Sequence, residues 1–407
     1  MSSTSHPLDA ALETHVARLE EQGTAKGAEN VIVRVLAAEG DRGPRCLLEG
    51  QGDKLFLKMN SNSYLGLSAR EELLHAEEEA ARSFGSGPGA VRFISGTYRH
   101  HTELERRLAA FHGRESGMIF SAAYATVLGV LVPLVDRETT VISDELNHNC
   151  IINAMRLARP KEKMIYGHLE MAELRKSLAG GTGRRAILVT DGIFSMRGSH
   201  APLREIVALA REHDARYEEG VTVVVDDSHG VGAFGRSGRG TEEYAGARGD
   251  VLVGTLGKAF GVNGGYVVGS AALTRFLRES APTYIYSNPI TVGECAAALA
   301  SLDILESDEG PRRLDHLQEM TTRFAKGIVD IGWETIPGDH PVTPLMVRET
   351  EKTAALVEHL FDHGILATGL NYPVVPKGDQ SIRFQINADH TARDIDEVLT
   401  AIEDFGG

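Results

Sequence analysis

The sequence predicts an α/β fold: a mostly parallel central sheet with helices on both faces, plus a smaller C-terminal α+β domain. Two observations carry this. From about residue 65 to 290, short continuous apolar runs alternate with amphipathic helical patterns. Continuous rather than alternating apolar runs mark strands buried on both faces. After about 290 the pattern changes to shorter elements. The chain has 407 residues, 42% hydrophobic and 24% charged, an ordinary globular balance with room for a large core. The pattern divides it into an N-terminal helix and arm (1–64), a large domain (65–290) and a small C-terminal domain (291–407).

Residues 8–21 place Leu8, Leu12, Val16 and Leu19 at helical spacing. Residues 22–50 mix charges with glycines and read as an arm or small ribbon. Thr102-Glu-Leu-Glu105 reads as a capping box, with Leu104, Leu108 and Phe111 on one face of the helix it opens. Strands are expected at Thr140–Ser143, Lys163–Tyr166, Ala186–Thr190, Val221–Val225 and Val251–Gly254. Leu203, Ile206, Val207 and Ala210 form a helical stripe between two of them. A long helix is expected from Thr291 to Ser307. The chain closes with a strand-like SIRFQIN and a helix capped at Thr391, with Ile395, Leu399, Ile402 and Phe405 inside.

Lys and Arg number 42 against 57 Asp and Glu, a net charge of −15. That charge argues against general nucleic-acid or anionic-membrane binding. Three cysteines, Cys46, Cys150 and Cys295, cannot build a disulfide framework and point to a reducing compartment. The first twenty residues lack the apolar core of a signal peptide. The longest apolar run, Val127–Val135, is broken by Gly129 and Pro133 and is too short to span a bilayer. A cytoplasmic protein without membrane insertion is expected.

Three segments carry chemistry. Val221-Thr-Val-Val-Val-Asp226-Asp-Ser-His229 ends a strand on acidic and imidazole side chains. Gly254-Thr255-Leu-Gly-Lys258 follows, with Lys258 standing 32 residues beyond Asp226. Leu146-Asn-His148 lies just past the strand ending near Ser143. In a parallel sheet, ligands bind beyond the carboxyl ends of strands, where all three segments fall. Their chemistry suits pyridoxal phosphate. An Asp can hold the pyridine nitrogen protonated, a Lys can bind the aldehyde covalently, and an imidazole can stack on the ring. Singly, each residue has an ordinary reading as a cap, a solvated loop or a turn; the joint arrangement carries the inference.

Other motifs are weaker. Gly230-x-Gly232-x-x-Gly235 matches a dinucleotide-binding loop, yet residues 236–249 lack the apolar helix that should follow. His100-His101 and Asp226-x-x-His229 do not make a metal site, since adjacent histidines cannot share one helix face and no third cluster joins them. A solvent-facing histidine pair is expected there. No G-x-S-x-G occurs, which disfavours a serine hydrolase. Arg82, Arg92, Arg99, Arg106 and Arg107 could form a patch for coenzyme A phosphates, though each singly reads as helix-surface charge.

Over roughly residues 50–405 the chain resembles the α-oxoamine synthases, fold-type-I pyridoxal-phosphate-dependent transferases. The resemblance rests on NSNSYLGLS (60–68), GAVRFISGTYRHHTELERRLAAFHG (89–113), SDELNHNCIINAMRLAR (143–159) and TDGIFSMRG (190–198). It continues in VDDSHGVGAFG (225–235), GTLGKAFGVNGG (254–265), YSNP (286–289) and SIRFQINADHT (381–391). It implies that residues 65–290 form the cofactor-binding domain. It implies that Lys258 is the Schiff-base lysine and α-proton base, that Asp226 pairs with the pyridinium nitrogen, and that His229 and Ser195 bond the ring hydroxyl. His148 would stack on the ring, backbone amides of Ala123 and Tyr124 would hold the phosphate, and Thr255 would add a contact to it. Ser287 and Asn288 would reach the site of a neighbouring subunit in a homodimer. Asn62 and Arg383 would bind the amino-acid carboxylate. VRFISGT, LNHNCII and YPVVPKG (372–378) resemble the glycine C-acetyltransferase branch most, which implies glycine and a short acyl-coenzyme A as substrates. The alternative is a decarboxylative condensation, like that of 8-amino-7-oxononanoate synthase or serine palmitoyltransferase, of alanine or serine with a longer acyl thioester. A different pyridoxal phosphate reaction, such as transamination, is the third reading. One departure is local: Arg197 stands where the family commonly has an acidic residue.

Overall fold

Short apolar runs of the kind seen between residues 116 and 269 can hide their side chains only inside a covered sheet, and they do so here except in the edge run 162–166, where Ile165 is 54% exposed. The computed structural model describes residues 6–22, 24–25, 27–372 and 375–406. Helix α1 (Pro7–Glu21) is present, but Leu8, Leu12 and Val16 on its apolar side are exposed. The arm contains an antiparallel ribbon of β1 (Ile32–Leu36) and β2 (Arg45–Leu48), followed by β3 (Leu57–Lys58). Helices α2 (Glu71–Phe84) and α3 (Arg99–Phe111) come next.

The central sheet contains β4 (Ser116–Phe120), β5 (Thr139–Asp144), β6 (Glu162–Tyr166), β7 (Arg185–Asp191), β8 (Val221–Asp226), β9 (Val251–Thr255) and β10 (Gly265–Gly269). Their order is β4-β10-β9-β8-β7-β5-β6. All neighbours from β9 to β6 are parallel, and β10 is antiparallel to both β4 and β9. Five of these strands are the expected ones. β4 (SGMIF) and β10 (GYVVG) are additional strands.

Successive strand residues enter opposite cores, as the two-residue period requires. Ile187, Val189 and Val224 pack with α4 (Ala123–Leu134) and α5 (Asn149–Ala158) on one face. Leu188, Val223 and Val225 face Leu203 and Ile206 of the helix Leu203–His213 on the other. Each fully buried aliphatic side chain is worth about 1.5–3 kcal/mol, so this two-sided core fixes the strand ends that carry the site.

The C-terminal region forms a second, antiparallel sheet from β11 (Glu334–Thr335), β12 (Val342–Met346), β14 (Thr368–Leu370) and β15 (Ser381–Gln385), ordered β11-β12-β15-β14. Between them β13 (Ile365–Leu366) pairs in parallel with β3, tying the segment after the arm to this region. The last helix, Ala392–Gly406, opens as expected at Thr391, whose hydroxyl accepts from the Asp394 amide at 3.1 Å. Asp394 Oδ2 accepts in return from the Thr391 amide at 2.8 Å.

Three expectations are corrected. Helix α3 begins at Arg99, three residues before Thr102. His101 supplies the reciprocal cap: its Nδ1 accepts from the Tyr98 amide at 3.0 Å and its Nε2 meets the Ile290 carbonyl at 2.8 Å. The Thr102 hydroxyl instead donates to the Arg99 carbonyl. His101 is therefore fully buried, and the histidine pair does not face solvent together. The arginines Arg82, Arg92, Arg106 and Arg107 are matched by Glu78, Glu105, Glu103 and Asp303, so they do not form an open basic patch. The helix beyond Gly235 runs only from Thr241 to Ala245, too short for a dinucleotide-binding unit. Among the described residues no group of ligating side chains could hold a metal ion, and no helix is long and apolar enough to cross a membrane.

Candidate active site

The carboxyl ends of β4, β5, β7, β8 and β9 converge, and the loops that leave them build one cavity. Six of the expected residues line it from these loops: Ala123 and Tyr124 after β4, His148 after β5, Ser195 after β7, His229 after β8 and Lys258 after β9. Asp226, the last residue of β8, lies at its floor.

Asp226 is buried and has fixed partners. Its Oδ1 accepts from the Ser228 hydroxyl at 2.6 Å and the Ser228 amide at 3.2 Å. The Cys150 thiol stands 3.6 Å from its Oδ2 and 2.9 Å from His148 Nδ1. Strand register sets Asp191 beside Asp226 across the parallel β7–β8 pair. Asp191 Oδ2 accepts from the His148 amide at 3.1 Å, while its buried Oδ1 has no partner. Burial, then the adjacent Asp226, raises the Asp191 carboxyl well above the ordinary range. Asp227 points away from the cavity, and its carboxylate accepts from the Thr241 amide and hydroxyl, both at 2.7 Å. A Cβ at Gly192, Gly230 or Gly240 would strike that carboxylate, so these glycines let the loops wrap around it. The two adjacent acids thus divide into one that faces the cavity and one that braces its loops.

Lys258 sits half-buried in the loop between β9 and β10. Desolvation lowers its ammonium to about 8, against the raising effect of Asp226 and Asp191. An amine near that value is in substantial part neutral at physiological pH, as a nucleophile or base requires. His229 is held well below an ordinary histidine, first by burial and then by Lys258, so its imidazole is neutral. Its Nδ1 lies 2.7 Å from the Tyr64 hydroxyl, and its carbonyl accepts from His340 Nε2 at 2.9 Å.

At the other end of the cavity, α4 presents its N-terminus. No side chain caps it, so the first backbone amides are free for an anion. Gly265 in β10 lets the helix start come close, because a Cβ there would strike the Ala123 amide. Thr255 Oγ1 accepts from the Gly257 amide at 3.1 Å and donates to the Gly264 carbonyl at 3.2 Å. A helix N-terminus, a neutral imidazole, a buried carboxylate and a depressed lysine together fit the phosphate, ring oxygen, ring nitrogen and aldehyde of pyridoxal phosphate.

Asn62 and Arg383 lie together but outside the cavity lining. Asn62 Oδ1 is 3.5 Å from an Arg383 amino nitrogen, and Arg383 donates to the Ser195 carbonyl at 3.0 Å. Ser287 and Asn288 do not enter this chain's cavity. They follow Tyr286, which is 79% exposed. The reading from sequence missed Tyr64, Cys150 and Asp191. Cys150 and Asp191 each lie inside strings quoted for other residues, and only strand register and helix phase show that they face the site. In YPVVPKG, Pro373 and Val374 lie outside the described residues.

Residues 54–402 match the family model for aminotransferase class I and II. The chain is 39% identical to 8-amino-7-oxononanoate synthase of Bacillus pumilus over 86% of its own length and 87% of that protein's. It is 37% identical to the Thermosipho melanesiensis protein of the same name, covering 93% and 94% of the two chains. Among solved structures, serine palmitoyltransferase of Sphingomonas wittichii superposes with a TM-score of 0.86 at 26% identity, covering 99% and 97% of the two chains. With its sheet order, strand-end site and these relatives, the chain has the fold-type-I transferase fold and belongs to the aminotransferase class I and II family, among relatives that are α-oxoamine synthases.

Proposed function

We propose that the protein is a pyridoxal-phosphate-dependent α-oxoamine synthase that joins an α-amino acid to an acyl thioester with loss of carbon dioxide and of the thiol. The observation that carries this is the placing of Lys258, Asp226, His229 and His148 around one cavity beside a free helix N-terminus. The relatives named for 8-amino-7-oxononanoate and palmitoyl transfer favour the decarboxylative reaction over glycine C-acetyl transfer, the first expectation from the sequence strings.

The cofactor is pyridoxal 5'-phosphate, which supplies an electron sink that stabilises negative charge at the amino acid's α-carbon. Asp226 sets a negative charge where the ring nitrogen lies and keeps it protonated. The amides of Ala123 and Tyr124, with Thr255, hold the phosphate. His229 and Ser195 meet the ring oxygen. His148 stacks at the mouth of the cavity and orients the reacting carbon. Arg383 offers a planar fork to the substrate carboxylate, steadied by Asn62. Lys258, lowered to about 8 and lining the cavity, would be the residue that takes the α-proton. Bond formation from the α-carbon to the thioester carbonyl would expel the thiolate; the carboxylate would then leave as carbon dioxide, and a proton returned to the α-carbon would give the amino ketone.

The working form is a homodimer in which Ser287 and Asn288 complete the partner's phosphate site. The exposed Tyr286 beside them and the uncovered apolar side of α1 support it. The three cysteines are unpaired and buried, which suits a reducing cytoplasm. The reaction is tested by incubating purified protein and cofactor with a matrix of amino acids and acyl thioesters. Thiol release and product mass would be followed. An amino-ketone product with stoichiometric thiol supports the assignment. Amino-group exchange with a keto acid and no thiol release would point to transamination instead.

A further inference from the structure

The catalytic cavity shares His148 and Ser195 with a second cavity between the central sheet's loops and the C-terminal sheet. Its apolar walls come from both sides. Leu146, Phe194 and Met196 belong to the loops after β5 and β7, and Ile336, Met346 and Val375 to the C-terminal region. Leu146 and Met196 are large apolar side chains, 40% and 38% exposed. Its ionic groups are Glu145, Arg197 and Asp379. Arg197 donates to Asp379 Oδ2 at 3.2 Å, and Glu145 accepts from the His168 amide.

We propose that this groove receives the aliphatic chain of the acyl donor and selects an uncharged chain over one ending in a carboxylate. The inference rests on the acyl-thioester reading above. The thioester carbonyl has to meet the reacting carbon beside His148, which is the junction of the two cavities. A chain extending from that junction then lies between apolar walls, where each buried methylene is worth about fourfold in affinity. A terminal carboxylate meets no free cation among the lining residues, because Asp379 already neutralises Arg197 and Glu145 adds a negative charge. Arg197 thus closes an ion pair on the groove wall and leaves no site for an anionic tail.

The test uses the holoenzyme with its preferred amino acid and three donors: acetyl-coenzyme A, octanoyl-coenzyme A and the eight-carbon ω-carboxy analogue. Thiol release gives kcat/KM, and calorimetry gives donor binding separately. Octanoyl is expected to exceed acetyl by at least about sixteenfold, two methylenes' worth, and to exceed the ω-carboxy donor as well. Met196→Trp, at an exposed position that folding tolerates, should remove that advantage while leaving acetyl transfer within about twofold. Met346→Trp, from the opposite wall, should do the same. An ω-carboxy donor that is preferred, and loses its preference in Arg197→Ala, would overturn the proposal. So would an unchanged chain-length profile in both tryptophan variants. If no donor releases thiol, yet octanoyl-coenzyme A binds and Met196→Trp weakens it, the groove stands and the condensation reading fails.

Discussion

The hydroxyl of Tyr64 lies 2.7 Å from Nδ1 of His229, with both residues buried at the side of the cavity. Asn62 Oδ1 is a more distant alternative acceptor at 3.3 Å. We assign the hydroxyl proton to the shorter contact, which makes Nδ1 the acceptor and leaves Nε2 carrying a proton toward the cavity. Tyr64→Phe strips that partner and frees the imidazole to take the other tautomer. The expected result is a loss of about 1–3 kcal/mol in stability, the cost of a buried unpaired nitrogen. Weaker retention of the cofactor should accompany it. Thermal melts and equilibrium dialysis would check both, and a variant equal to wild type in both would remove Tyr64 from the account.

Lys258 gives a pH dependence. With its ammonium lowered to about 8, the neutral amine that captures the cofactor accumulates as pH rises through that value. The rate at which cofactor-free protein takes up pyridoxal phosphate, followed by absorbance, should rise across that midpoint and level off above it. Asp226 acts to raise the lysine's value, so Asp226→Asn should move the midpoint to lower pH. Lys258→Ala should leave no cofactor fixed to the chain by borohydride. Fixation at a different lysine would contradict its assignment.

Two acids that are neighbours across β7 and β8 should respond oppositely to the same substitution. Asp226→Asn removes a charge that acts on the cofactor. It should lower turnover by about 10²–10³, as loss of one preorganised electrostatic partner does. The Asp191 carboxyl is raised well above the ordinary range and its Oδ1 has no partner, so Asp191→Asn should be tolerated. A raised carboxyl value also means that the folded state keeps a proton the unfolded chain releases. Stability therefore falls as pH climbs from the ordinary carboxyl range toward the raised value. Asp191→Asn should flatten that fall, seen as a melting temperature closer to constant as pH rises from the ordinary carboxyl range in cofactor-free protein. A steeper dependence in the variant would reverse the assignment.

Much of this site could be read along the chain. Strand-end loops carry their chemistry in short strings, so Asp226, His229, Lys258 and His148 stand out before any coordinates. The five parallel strands were legible because burial on both faces leaves continuous apolar runs. β4 and β10 were passed over although Met-Ile-Phe and Tyr-Val-Val suit a strand; β10 pairs with both β4 and β9, and Gly265 serves the approach of α4. Asp191 and Cys150 escaped for a different reason. Their roles depend on register against Asp226, which is a property of two strands and a helix together. The start of α3 was misplaced because His101 caps with a ring nitrogen, a device that a search for Ser, Thr or Glu overlooks.

The proposed homodimer, with Ser287 and Asn288 completing the partner's site, predicts complementation. Lys258→Ala and Asn288→Ala chains, each inactive alone, should regain part of the activity when mixed and allowed to exchange subunits, since one hybrid site carries neither defect. Sedimentation at the assay concentration should show the dimer. An active monomer would refute the shared site.

The central claim is condensation with loss of the amino acid's carboxylate. It is tested most directly by supplying the amino acid labelled at the carboxyl carbon, with the acyl thioester, and measuring labelled carbon dioxide and free thiol together. The account predicts one labelled carbon dioxide for each thiol released, with both abolished in Lys258→Ala. Thiol release with the label retained in the product would contradict it and establish the glycine C-acetyltransferase type of reaction instead.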